Sequence, residues 1–139
     1  MLVRDVMTPD VVTLSLGATL SDVARRMRDE DIGSVPISDD NRLVGMVTDR
    51  DVVIRGLADG EDPTRLTARD VMSPRLLYCF EEQSVDEALH NMGEQQVRRL
   101  PVLNRDKRLV GMVSLGDLSQ AQARKAGDAL KDISEPGHR

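Results

Sequence analysis

The stretch RLVGMV at Arg42–Val47 decides the fold, because the chain spells it again at Arg108–Val113. The surroundings match as well: RDVMTP at Arg4–Pro9 returns as RDVMSP at Arg69–Pro74. The copies are 65 residues apart at Arg4 and Arg69, and 66 apart at Arg42 and Arg108. One extra residue therefore sits in the second copy, in LNRDK (Leu103–Lys107) opposite SDDN (Ser38–Asn41). A polar turn between apolar runs is where a fold accepts an insertion. The pattern is a structural repeat.

Each copy has the same grammar. A short apolar run opens it, VVTL (Val11–Leu14) or LLYCF (Leu76–Phe80), and reads as a strand. A helix follows. Thr19 precedes the stripe Leu20, Val23, Ala24, Met27, and Ser84 precedes Val85, Ala88, Leu89, Met92. Asp22 and Glu87 stand three residues after their caps, which predicts a full capping box at Ser84 and a weaker relative of one at Thr19. Then come a strand (SVPI or RLPV), a polar turn, the strand LVGMV, and a Thr or Ser that opens a second helix: TDRD at Thr48–Asp51, SLGD at Ser114–Asp117. The expectation is an α+β chain of two β-α-β-β-α repeats, residues 1–62 and 63–122. A polar tail, 123–139, is expected to be partly helical, then disordered through SEPGHR.

Within these strands, Pro36 and Pro101 occupy matching places. Proline has no N–H for a ladder, so each is expected at an edge or at a strand's first residue. Gly45 and Gly111, inside the repeated strand, predict close backbone approach.

Composition narrows the function. The chain has 139 residues, 40% of them hydrophobic and 31% charged, with Tyr78 and Phe80 as the only aromatics. It reads as a soluble globular protein with an aliphatic core. Repeats of about 60 residues bury too little surface to stand alone comfortably, so they are expected to share one core. The net charge of −5 argues against a general nucleic-acid binder. No apolar run approaches a membrane span, and MLVRDVMTP lacks a signal-peptide core, so the expected location is the cytoplasm. Cys79 is alone, which leaves no internal disulfide, and inside LLYCF it reads as a small buried hydrophobe.

Neither histidine has a nucleophile or metal partner in sequence. His90 lies off its helix's apolar stripe and His138 lies in the tail. No catalytic residue and no metal site is expected. The sharper constellation is the doubled Ser/Thr-x-x-Asp after LVGMV. Thr48 and Ser114 could donate to a ribose or phosphate oxygen, and Asp51 and Asp117 could accept from a vicinal diol at a helix mouth. The same spacing also describes an ordinary helix cap, and one threonine can serve both ends. Arg98 and Arg99 precede Leu100–Pro101, where copy one has Gly33–Ser34. One of them could pair with a phosphate, or both could be surface salt-bridge partners, as could Arg50.

The tandem DVM[TS]P, the amphipathic helix, the [GR]-x-h-P strand and h-x-G-h-V-[TS]-x-x-D together resemble the cystathionine β-synthase (CBS) domain, and two in tandem resemble a Bateman module. The resemblance covers roughly residues 4–122, and TDRDVVIRGLADGEDP is similar to small stand-alone CBS pairs. It implies two repeats packed about a pseudo-two-fold axis with clefts between them. It also implies that Asp51 or Asp117 holds a ribose, with Thr48 or Ser114 helping at ribose or phosphate. A base would lie against Thr13 or Tyr78 and against residues flanking Pro36 or Pro101, Val35 among them. Arg98 and Arg99 would reach phosphates. No cofactor is required, while bound AMP, ADP or ATP is compatible. Leu115 and Gly116 stand where copy one has Asp49 and Arg50, so the two sites are not expected to be equivalent. The expected function is a non-enzymatic regulatory module that senses an adenosine ligand, and homodimers are expected. The rival is a ligand-independent dimeric interaction scaffold with an unknown protein partner.

Overall fold

The computed structural model describes residues 1–134. The expected fraying of SEPGHR, Ser134 excepted, and His138 lie outside the described residues. The elements in chain order are α1 (Val3–Val6), β1 (Thr8–Pro9), β2 (Leu14–Ser15), α2 (Leu20–Glu30), β3 (Ser34–Asp39), β4 (Arg42–Thr48), α3 (Asp49–Asp51), α4 (Ala68–Val71), β5 (Cys79–Phe80), α5 (Val85–Gln95), β6 (Arg99–Leu103), β7 (Leu109–Ser114) and α6 (Leu115–Ser134). α3 runs on into a π-helical stretch, Val52–Leu57. The α+β class and the tandem β-α-β-β-α order follow the sequence expectation, and the polar segment after Asp117 is helical through Ser134.

The chain forms two compact units that cut across the repeats. One contains Val11–Leu76 with Lys107–Leu109; the other contains Met1–Asp10, Leu77–Asp106 and Val110 onward. The opening segment of each repeat therefore belongs to the unit that carries the other repeat's helices and strands.

In the Val11–Leu76 unit the strand order is β2-β3-β4. β2 runs parallel to β3, with Leu14 opposite Ile37, and β3 runs antiparallel to β4, with Val35 opposite Val47. The core is Leu20, Val23, Val35, Ile37, Val47, Ala68 and Val71. Ala68 and Val71 come from α4, the opening helix of the second repeat, and both are fully buried. Beyond α4, Ser73 bridges Met46 on β4, donating to the Met46 carbonyl at 2.9 Å.

The other unit repeats this plan. Its order is β1-β7-β6-β5, with β5 parallel to β6 and β1 antiparallel to β7, Thr8 opposite Met112. Its core is Val3, Cys79, Val85, Ala88, Met92, Leu100, Val102, Val113, Leu118 and Ala121, with Val3 supplied by α1. Each opening helix is closed by the aspartate of RDVM: Asp5 accepts from the Leu2 N–H and Asp70 from the Thr67 N–H, both at 2.9 Å.

Two glycines let the opening segments in. A Cβ on Gly45 would lie 2.5 Å from Met72 Sδ and 3.1 Å from the Ser73 carbonyl oxygen. A Cβ on Gly111 would lie 2.5 Å from Met7 Sδ and 3.0 Å from the Thr8 carbonyl oxygen. The close approach expected at RLVGMV is thus the seat of a methionine from the other repeat.

Three expectations are corrected. The runs Val11–Leu14 and Leu76–Phe80 are strand only at Leu14–Ser15 and Cys79–Phe80. Pro36 and Pro101 lie on inner strands, β3 and β6, not on edges. One fact explains both. The parallel pairing starts one residue past each proline, at Ile37 and Val102, and a proline has no N–H to extend the ladder. The capping boxes also reverse. Thr19 and Asp22 exchange both bonds, at 3.1 and 3.3 Å. Ser84 accepts from the Glu87 N–H, but the Glu87 carboxylate turns to the Ser84 hydroxyl and the Gln83 amide.

Candidate functional site

Each Ser/Thr-x-x-Asp sits where a repeated strand ends and a helix begins. β4 alternates buried Leu43, Gly45 and Val47 with half-buried Val44, Met46 and Thr48; β7 does the same with Leu109, Gly111, Val113 against Val110, Met112, Ser114. Period-two alternation thus delivers the hydroxyl to the face opposite the core.

The cap is real in both copies. Thr48 N–H donates to Asp51 Oδ2 at 2.9 Å, and Asp51 N–H donates to Thr48 Oγ1 at 3.2 Å. Ser114 N–H donates to Asp117 Oδ2 at 3.2 Å, and Asp117 N–H donates to Ser114 Oγ at 3.0 Å. The hydroxyls act here only as acceptors, so each keeps its proton for another partner. Each carboxylate keeps its second oxygen. Asp51 Oδ1 lies 3.9 Å from Arg55 Nε, too far for a hydrogen bond. Asp117 Oδ1 has no hydrogen-bond partner among the described residues. Capping and ligand binding are therefore compatible at both turns.

The twelve residues that the sequence singles out divide evenly between the units. Thr13, Val35, Pro36, Thr48, Arg50 and Asp51 lie in one. Ser34 pairs with Thr48 across β3 and β4, which puts Val35 and Pro36 next to the Thr48 turn. Val35 is fully buried in the core, so its contribution outward is backbone. Thr13 Oγ1 accepts from Ser38 Oγ at 3.1 Å. Ser38 carries no local sequence signal, and only the parallel register of β2 on β3 reveals it. Arg50 is exposed on α3, its N–H held by Asp49 Oδ1 at 2.8 Å.

Tyr78, Arg98, Arg99, Pro101, Ser114 and Asp117 lie in the other unit. Tyr78 packs edge-on against Phe80, ring centroids 5.5 Å apart. Leu115 N–H donates to the Arg98 carbonyl at 2.8 Å, which fixes Arg98 beside the Ser114–Asp117 turn. Arg98 and Arg99 are both exposed, and neither forms an ion pair among the described residues. Among the described residues neither arginine has the acidic partner that the surface salt-bridge reading calls for.

The same backbone bond exists in copy one, Asp49 N–H to the Gly33 carbonyl at 2.9 Å, with different side chains. There a Cβ on Gly33 would meet Asp49 Oδ2 at 3.2 Å. Copy one thus places Asp49, Arg50 and Asp51 at its helix mouth. Copy two places Arg98 and Arg99 near a mouth whose only carboxylate in the motif is Asp117. The two turns share a scaffold and differ in charge.

Other groups carry no comparable arrangement. His90 is exposed, 3.1 Å from Glu94 on the same helix. Cys79 is buried, and burial pushes its thiol up to about 12. Among the described residues, no group of three or more His, Cys, Asp or Glu side chains could hold a metal, and no helix is long and apolar enough to cross a membrane.

Comparison with known proteins agrees with this repeat. Residues 3–56 and 68–124 match the CBS domain. The Bacillus subtilis protein YlbB, uncharacterised, is 40% identical over 99% of this chain and 94% of its own. Hypoxic response protein 1 of Mycobacterium tuberculosis is 44% identical over 84% of this chain and 82% of its own. A crystal structure of Hypoxic Response Protein I with two coordinated zinc ions superposes with a TM-score of 0.79 at 43% identity, covering 86% of this chain and 98% of that one. CBSX2, crystallised in complex with AMP, gives 0.76 at 25% identity, covering 90% and 98%. Two family matches, one per repeat, fall on the segments that build the two units, and the chain belongs to the CBS-domain family.

Proposed function

We propose that the protein is a non-enzymatic regulatory module that binds an adenine nucleotide or a related adenosine compound at its Ser/Thr-x-x-Asp turns. One observation carries this. In both copies the cap leaves a hydroxyl proton and a carboxylate oxygen without a hydrogen bond at the mouth of a helix, the Asp51 oxygen facing Arg55 at 3.9 Å. That is the donor and acceptor set a ribose requires. The AMP complex of CBSX2 supports the ligand class. Arg98 and Arg99, exposed and without ion pairs among the described residues, favour phosphate at the Ser114 turn.

Thermal unfolding with AMP, ADP, ATP, NAD and S-adenosylmethionine tests it. A ligand at 100 times its Kd adds about 2.7 kcal/mol, which for a chain of this size raises Tm by roughly 5–10 °C. The expected result is such a rise with one adenosine ligand, diminished in Asp51→Ala or Asp117→Ala. A flat panel, or equal binding by the double variant, overturns the assignment.

A second reading, the dimeric scaffold, rests on a different observation. Val53, Ile54 and Leu57 are each 50–54% exposed on the π-helical stretch. Copy two has Ser119, Gln120 and Ala123 at the matching positions. The apolar face is thus a property of copy one, not a demand of the repeat. We assign it to self-association. Ile54→Asp is expected to shift the mass measured by sedimentation from dimer to monomer, and a monomeric wild type overturns this assignment.

A further inference from the structure

We propose that Met7 and Met72 are oxidation sites whose conversion to sulfoxides frees the two opening segments from the strands they cover. At one seam Met72 Sδ rests on the backbone of Gly45, and at the other Met7 Sδ rests on Gly111, at the same 2.5 Å from where a Cβ would stand. Neither sulfur has a side chain beneath it to move aside. On each strand the next residue is again a methionine, Met46 opposite Ser73 and Met112 opposite Thr8. Four of the chain's seven methionines therefore stand at two equivalent seams, where an aliphatic residue would satisfy packing alone.

Met7 and Met72 are half-buried, whereas Met92 is 2% exposed. The chemistry is self-contained with a peroxide. The thioether sulfur donates an electron pair to one peroxide oxygen, the O–O bond breaks, an S–O bond forms, and the other oxygen leaves as water after proton transfer. Sulfur is oxidised and peroxide reduced, by two electrons each. The product is a polar sulfoxide on a seat shaped for an apolar thioether. What holds Ser73 to Met46 beyond that seat is a pair of bonds of 2.9 and 3.4 Å. The segment is a short addition to a sheet edge, and such additions open first.

The test uses hydrogen peroxide on the full chain, peptide mass spectrometry, and amide exchange at Met46, Ser73, Thr8 and Met112. Exposed Met1 should oxidise first and buried Met92 last, with Met7 and Met72 modified in between. Exchange at the four seam amides should then accelerate, and Tm should fall. Met7→Leu and Met72→Leu keep the volume but not the sulfur, so each should protect its own seam from peroxide. Methionine sulfoxide reductase should restore the wild type. If Met7 and Met72 stay reduced until Met92 reacts, or if their sulfoxides leave exchange and Tm unchanged, the proposal fails. The single-seam variants and the enzymatic reversal make this test independent of whether a double variant folds.

Discussion

Thr48 and Asp51 hold each other through two reciprocal hydrogen bonds of 2.9 and 3.2 Å, and Ser114 and Asp117 repeat the arrangement at 3.2 and 3.0 Å. Because one residue pair serves both the helix and the proposed ligand, a variant must separate the two roles. Asp51→Ala removes the acceptor of the Thr48 N–H and leaves the Thr48 cap on the Asp51 N–H in place, and one such hydrogen bond is worth about 1 kcal/mol. Asp51→Ala should therefore lower stability by about that amount in urea and also remove the ligand-induced rise in Tm. Thr48→Ser keeps the hydroxyl and should retain both. If Asp51→Ala loses stability while ligand response persists, the aspartate is a cap and nothing more.

Arg98 and Arg99 should read phosphate, not adenosine. Both are exposed and without ion pairs among the described residues, and Arg98 is tied by its carbonyl to the first residue of α6. Arg98→Ala and Arg99→Ala are expected to weaken ATP and ADP more than adenosine. Exposed charges attract one another less as salt rises, with a screening length of about 8–10 Å at ordinary ionic strength, so wild-type affinity for ATP should fall as salt rises, and the fall should be shallower in the variants. Equal losses for adenosine and ATP in calorimetric titrations would mean that the arginines act through folding.

Glycine substitutions should sort by what lies above the backbone. Gly45→Ala and Gly111→Ala would drive a methyl into a methionine sulfur and a carbonyl oxygen. Each is expected to cost about 1–3 kcal/mol, the usual penalty for overpacking. Gly93, inside α5, has nothing within 4 Å. Gly93→Ala should raise stability by about 0.5–1 kcal/mol through helix propensity. Denaturant unfolding of the three variants checks both signs at once.

Local signals are legible in this sequence, and long-range ones are not. RLVGMV announces its strand because apolar alternation and a glycine are local signals. The Thr48 and Ser114 turns are legible for the same reason, since a cap is written in four residues. The exchange of opening segments is not legible. RDVMTP and RDVMSP are identical in grammar, and adjacency along the chain says nothing about which core receives Val3 or Val71. The shortening of β2 and β5 is implicit in Pro36 and Pro101, but only the register on β3 and β6 shows which partner residue the proline fails. Within the π-helical stretch Gly56 meets Leu20 across the unit, where a Cβ would collide with the leucine side chain. No local pattern encodes that meeting. The ligand is the least legible part, because a cap and a ribose-binding pair use the same atoms.

Cys79 should give the alkaline limb of stability a measurable slope. Its thiol is buried, and desolvation pushes it from 9.0 up to about 12 in the folded chain. The unfolded thiol ionises near its ordinary value while the folded one stays protonated, so above pH 9 the folded state holds more protons. Stability is then fully present below that pH and declines as pH rises toward 12. The limiting slope for one group is about 1.4 kcal/mol per pH unit. Cys79→Ala should lose some stability at neutral pH through the smaller side chain, yet show a flatter decline between pH 9 and pH 11. The same burial predicts that a thiol reagent at pH 8 labels the native chain no faster than it unfolds. Parallel slopes for wild type and Cys79→Ala in urea unfolding across this range, or rapid labelling of the folded protein, would show that the thiol is not held neutral by the core.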